Sequence, residues 1–250
     1  MTTTNRYSEY DLFAPMYNDN WGNLFKDGIP LPIKTLMLQH LPPQAHILDL
    51  CCGTGQLVEK LLIEGYQVTG IDGSESMLKY AKENAPQANF ILEDARYFNL
   101  LPTFNAAISI GSSLNHILTL DELKLVFANV YNSLQPGGLF GFTIDVEGIY
   151  QSKWDGSSKG VIKDEYVWVW QRKYLPDANL GQVKIAILQL VNGQWERSDI
   201  TWLLKSYKIS HIESALQEVG FKNIEIYDLK QDLKLLNNPQ ESCFVAHKLS

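Results

Sequence analysis

The chain has 250 residues, 45% hydrophobic and 11% aromatic, enough to close a core over one large domain or a domain with a small insert. Acidic residues outnumber basic ones 28 to 21, for a net charge of −7, and no long basic run appears, which argues against a nucleic-acid partner. Cys51, Cys52 and Cys243 make no disulfide framework, residues 1–5 hold no apolar leader core, and no apolar run reaches bilayer length, so a cytoplasmic protein without a membrane partner is expected.

Tyr10, Phe13, Ala14 and Tyr17 recur at helical spacing and predict an amphipathic helix near 8–18. Trp21 follows in a loose stretch with Gly22 and Gly28. Ile33, Leu36, Met37 and Leu41, after Pro30 and Pro32, predict a short helix. Residues 46–57 then read as a buried strand, a glycine turn and a helix start. Ile47, Leu48 and Leu50 form the apolar run of a central parallel strand. Gly53 and Gly55 permit a sharp bend, and Leu57, Val58, Leu61 and Leu62 take up helical spacing until Gly65. Such a strand–turn–helix brings backbone N–H groups to one crevice, where open α/β sheets bind nucleotide-like ligands.

A second strand over 67–72 ends in Asp72, 23 positions after Asp49. A carboxylate there can accept hydrogen bonds from both hydroxyls of a ribose, or serve only as a helix N-terminal acid beside the cap residues Ser74 and Glu75. Strands follow over 89–95 and 104–110, the latter running into Ser112, Asn115 and His116. Thr119 and Glu122 form a capping box for a helix with Leu123, Val126, Phe127, Val130 and Leu134 on one face. Pro136-Gly137-Gly138 ends that helix, and a fifth strand over 139–144 carries Asp145 at its tip. Residues 146–207 break the rhythm. Tyr166 to Trp170 is rich in β-formers, and Asn192-Gly193 is a hairpin signal between two β-rich runs, so a small antiparallel sheet is expected. Ser210 and Glu213 form a second capping box, for a helix ending at Gly220, and two strands over 223–227 and 242–248 close the chain.

Residues 48–55, Leu-Asp-Leu-Cys-Cys-Gly-Thr-Gly, resemble motif I of the class I S-adenosylmethionine-dependent methyltransferases, with Cys51 where that family usually carries glycine or alanine. Tyr-x-x-Phe-Ala-x-x-Tyr at 10–17 resembles the N-terminal helix of small-molecule methyltransferases. Asp-x-Ser-x-x-Met-Leu at 72–78 and Leu-x-Pro-Gly-Gly-x-Phe at 134–140 are further family features. The resemblance implies an α/β fold: a doubly wound Rossmann-like sheet, mostly parallel with the last strand antiparallel, plus a small antiparallel β insert. It implies S-adenosyl-L-methionine as cofactor, bound by Tyr17, Asp49, Cys51, Gly53, Gly55, Asp72, Gly73, Met77, Asp94, Ala95, Ile110 and Ser112. Asp94 would lie near the adenine amino group and the Ala95 N–H near a ring nitrogen. The Asn/Asp-Pro-Pro-Tyr/Phe tetrapeptide of enzymes that methylate adenine or glutamine is missing after the fourth strand, which counts against those substrates. The implied division is an N-terminal helical lid over 1–44, a core over 45–145 and 208–250, and an insert over 146–207 covering the acceptor site.

The implied reaction is in-line methyl transfer to the nitrogen or oxygen of a small molecule such as an amine or amino sugar. Positioning carries most of such a reaction, so no metal is expected. Tyr17, His116 and Asp145 are the candidate catalytic groups, and His211 reads as a surface residue. The tryptophans of the insert offer a pocket wall, packing for the insert, or a homodimer surface. A non-catalytic S-adenosylmethionine-binding protein and a macromolecular methyltransferase fit the same residues. A collapsed acceptor pocket would mark the first, a basic groove the second.

Overall fold

The computed structural model describes residues 6–21, 25, 28–229 and 241–249. Residues 1–5 and Gly22 lie outside that set. A 3₁₀ turn, Asp11–Phe13, leads into α1 (Ala14–Trp21). The helix thus begins later than the spacing predicts and takes in Trp21. Next come α2 (Leu31–Leu36), β1 (His46–Leu50), α3 (Gln56–Ile63), β2 (Gln67–Asp72), α4 (Glu75–Asn84), β3 (Asn89–Leu92), β4 (Phe104–Ser109) and α5 (Leu120–Ser133). They are followed by β5 (Leu134–Asp145), α6 (Ile149–Lys153), β6 (Asp155–Ile162), β7 (Tyr166–Leu175), β8 (Leu180–Val191), β9 (Gln194–Leu204), α7 (Ile209–Val219), β10 (Lys222–Asp228) and β11 (Glu241–His247).

Seven strands form one sheet in the order β10-β11-β5-β4-β1-β2-β3. β1 pairs in parallel with β2 and β4, while β11 runs antiparallel between β5 and β10. The expected topology is therefore present. Helices cover both faces, which is why β1 carries an almost unbroken apolar run. Leu57, Val58 and Leu61 of α3 and Leu78 and Ala81 of α4 pack one face. Leu123, Val126, Phe127 and Val130 of α5 and Ile212, Ala215 and Leu216 of α7 pack the other. The chain reverses its direction of travel across the sheet between β1 and β4, so the crevice opens at the carboxyl ends of those strands.

β6 to β9 form a separate antiparallel sheet. Asn192 and Gly193, both at positive φ, turn β8 into β9, as an Asn-Gly hairpin requires. One face of this sheet, with Trp168, Val183, Ile185, Ile187, Ile200 and Trp202, packs on Phe13 and Met16 of the N-terminal segment.

Two local expectations need correction. The fifth strand starts at Leu134 and carries Pro136-Gly137-Gly138 within it, with a register shift against β4. The Ser210–Glu213 capping box does not form: α7 begins at Ile209, its N-cap is Lys208, and no side chain caps it. Ser210 thus stands inside the first turn, past the position from which a hydroxyl can cap. Ser74 and Thr119 do cap, accepting from the backbone N–H of Met77 and Glu122. Among the described residues no helix is long and apolar enough to cross a membrane.

Candidate active site

The glycine turn after β1 is built by steric demand. Gly53 has φ +54° and Gly55 φ +80°. A Cβ on Gly55 would lie 2.9 Å from the Cα of Ala81, so the bare backbone lets α4 close on the turn. Cys51 shares the left-handed region at φ +60°, which suits the glycine, though not the alanine, that the resembled family usually carries there.

Four acids stand at the strand tips. Asp49 on β1 is 2% exposed, and among the described residues no group donates a hydrogen bond to its carboxylate. Burial, with the charge of Asp72 adding to it, pushes its pKa up to about 8. Asp72 at the end of β2 accepts the backbone N–H of Gly53 on Oδ2 and that of Ser74 on Oδ1, each at 2.9 Å. Each oxygen keeps an acceptor position. Desolvation raises Asp72 to about 6, against the two N–H bonds that lower it.

Asp94, 4% exposed, is held by Arg96: Nε reaches Oδ1 at 3.0 Å and Nη2 reaches Oδ2 at 2.7 Å. Arg96 also reaches Glu122 at 2.7 Å, tying the third strand's tip to the start of α5. Nothing in the spacing of these three residues announces that link. Asp145, 9% exposed, closes β5. Its carboxylate accepts Ser112 Oγ at 3.3 Å, and burial raises its pKa. Asn115 fixes its backbone, donating to the Asp145 carbonyl at 3.0 Å and accepting its N–H at 2.8 Å. Ser112 and Gly111 both sit at positive φ after β4, with the Gly111 N–H on Thr143 Oγ1. Ile110 packs beside β1 and β2 residues.

The N-terminal segment lies across these tips. Tyr17 runs over Gly53, its Cε1 3.4 Å from where a Cβ would be, and stacks on Trp21. Tyr7 lies against Gly73, where a Cβ would come within 2.7 Å of its backbone. Asp11 Oδ1 accepts from Ser74 Oγ at 2.6 Å and the Ser76 N–H at 3.2 Å, so this segment also caps α4, where Met77 is buried. Tyr7 and Tyr10 place their hydroxyls 3.2 and 2.9 Å from the two ring nitrogens of His116, and Tyr10 stacks on Trp202 of β9.

His116 is accordingly a neutral ring clamped between two phenols. Burial lowers its pKa from 6.5 to about 4. An unfolded chain therefore binds a proton between those values that the folded one does not, and stability falls as pH drops from 6.5 towards 4. We expect this to account for roughly 2–3 kcal/mol. Denaturation at pH 7 and at pH 4.5 should show it as a difference that shrinks in His116→Gln. Of the other predicted groups, Trp195 is half exposed and walls nothing, and His211 is on the surface.

Residues 47–138 match a family model described as a methyltransferase domain. The chain is 30% identical over 210 residues to a putative methyltransferase of Geobacillus sp. (strain WCH70), covering 81% of this chain and 84% of that protein. It is 34% identical over 107 residues to the dTDP-3-amino-3,4,6-trideoxy-alpha-D-glucopyranose N,N-dimethyltransferase of Streptomyces venezuelae, 43% of this chain and 45% of the relative. The S-adenosylmethionine-bound structure of CalS10, an amino pentose methyltransferase from Micromonospora echinaspora, superposes with a TM-score of 0.70 at 18% identity, covering 99% of this chain and 100% of that one. A parallel sheet with one antiparallel strand, acids at the tips of β1 and β2 around a glycine turn, and this kinship lead to one conclusion: the chain belongs to the class I S-adenosylmethionine-dependent methyltransferases.

Proposed function

We propose that this methyltransferase acts on the amine nitrogen of a small molecule, of the size of an amino sugar, held between Asp145 and the inward face of the four-stranded sheet. The observation that carries this reading is Asp145 itself. A carboxylate buried at the tip of β5, accepting a hydroxyl rather than an arginine fork, fits a cationic ammonium group. The aromatic ring of Tyr150, whose hydroxyl acts on Asp145, is suited to the same charge. The amino-sugar relative and the net charge of −7 also support a small acceptor over a nucleic acid.

The residues fit the cofactor. Asp72 has two acceptor positions for a ribose diol, and Asp49 lacks a partner that an amino-acid ammonium group supplies. In this reading Asp94 and the Ala95 N–H face the adenine. Cys51, Gly53, Gly55, Gly73, Met77, Ile110 and Ser112 line the remaining contour under Tyr17. S-adenosylmethionine supplies a methyl group on a sulfonium, which leaves as a neutral thioether and needs no proton. The chain's own task is alignment and one proton. Asp145 holds the acceptor's ammonium and takes its proton, freeing the nitrogen lone pair for the new C–N bond. Ser112 fixes the carboxylate and Asn115 the backbone that carries it. Tyr17, whose pKa burial raises, stays a phenol and acts as a donor rather than a base. His116 positions Tyr7 and Tyr10. Residues 1–44 then serve as lid, 45–145 and 208–250 as core, and 146–207 as roof of the acceptor site.

Asp145→Asn tests the assignment. Turnover of an amine acceptor should fall about 100-fold, the scale of a lost proton-transfer group, with S-adenosylhomocysteine affinity unchanged in calorimetry. Undiminished turnover would overturn it.

A further inference from the structure

Arg172, like Lys153, is a basic group whose charge acts on Asp145 and which the mechanism above does not use. It lies on β7 with Tyr166, Trp168, Trp170 and Tyr174 at alternate positions, so it shares the inward face of the sheet. Cross-strand register places Val183 beside it and Trp202 beyond Val183, the same Trp202 that stacks on Tyr10. Its guanidinium carbon lies 4.5 Å from the ring centre of Trp170 and 5.4 Å from that of Trp154. Trp154 can lie there because β8 carries Gly181, where a Cβ would come within 2.6 Å of the indole. Two indoles therefore hold the guanidinium, which limits the side-chain freedom that binding a ligand would otherwise remove.

Among the described residues no carboxylate or carbonyl accepts a hydrogen bond from Arg172, although it has five donors. Elsewhere in the protein, Arg96 and Arg197 have their forks filled by carboxylates. The charge of Asp145 acts on Arg172, against the burial that lowers its pKa.

We propose that Arg172 is a specificity-determining residue that binds an anionic oxyacid group, a carboxylate or a phosphate, on the methyl acceptor whose amine Asp145 holds. The substrate class is then an amine that also carries an oxyanion. This rests on the amine reading above for the identity of the second group, but not for the anion site itself. Arg172 is solvent-exposed beside the two indoles, and its planar fork suits two oxygens of one such group in a way that a lysine would not.

The test is binding, read without turnover. Protein loaded with S-adenosylhomocysteine is titrated with acetate, inorganic pyrophosphate and acetamide while tryptophan fluorescence is followed. At least one anion should give a saturating change, acetamide none, and the tighter anion tells a carboxylate from a phosphate. Affinity should fall at least tenfold in Arg172→Met and by less in Arg172→Lys. It should be unchanged in Arg197→Met, whose guanidinium pairs with Asp199. If neither anion saturates the wild-type protein, or Arg172→Met binds as well as wild type, the proposal is wrong. Failure of every amine to accept methyl would instead overturn the amine reading and leave this titration unaffected.

Discussion

Replacing Gly55 by alanine is expected to cost about 3–4 kcal/mol of stability. Two penalties add. The residue has φ +80°, where an L side chain costs about 1–2 kcal/mol. The new Cβ would also stand 2.9 Å from the Cα and 3.0 Å from the Cβ of Ala81. α4 must then back away from the turn, disturbing the packing of Leu78 and Ala81. Shortening Ala81 to glycine removes only the second contact, so Gly55→Ala/Ala81→Gly should remain destabilised. Thermal unfolding reads this directly. For a domain of this size, a midpoint lowered by about 10 °C is expected. A shift within a degree or two would mean that the turn adjusts freely.

Asp72→Ala is expected to weaken cofactor binding by at least 100-fold, as calorimetry with S-adenosylhomocysteine would record. The carboxylate is the one group in the crevice that both organises backbone and offers two further acceptor positions. On the proposed reading its loss removes charge-assisted bonds to a ribose diol, and it frees the Gly53 and Ser74 N–H groups. The fold should survive at a cost of about 1–3 kcal/mol, because water can reach these N–H groups once the side chain is gone. Asp11→Ala makes the contrast. It removes a second acid from the same helix start, where it accepts from Ser74 and Ser76, without touching the Asp72 carboxylate. Its effect on affinity should be several-fold at most. Equal losses in the two variants would show that Asp72 acts through the helix start alone.

Much of this architecture was legible from residue pattern. β1, the glycine turn and α3 each carry a local signal: an apolar run, two glycines, then helical spacing. The Asn192-Gly193 hairpin and the Thr119 cap were equally local. What escaped was non-local or lacked a period. β6, Asp155–Ile162, is exposed along nearly all its length and so shows no alternation. The clamp of Tyr7 and Tyr10 on His116 joins residues more than a hundred positions apart. Arg172 has Trp170 two positions away on β7, but gains Trp154 only through the missing side chain of Gly181 on β8. Arg96 finds Asp94 two residues away, but Glu122 only because α5 starts beside β3. Asp72 and Asp145 could be named from sequence because each ends a readable strand.

The position of β11 has a consequence for biosynthesis. Residues 241–247 form an interior strand, hydrogen-bonded to β5 on one side and β10 on the other. Until they emerge from the ribosome, a slot stays open in the sheet and two strand edges are left bare, β5 with Phe140, Phe142 and Ile144 among its residues. Closure of the sheet must therefore wait for the last of these residues to be translated. Nascent chains arrested short of them should be protease-sensitive and prone to clump.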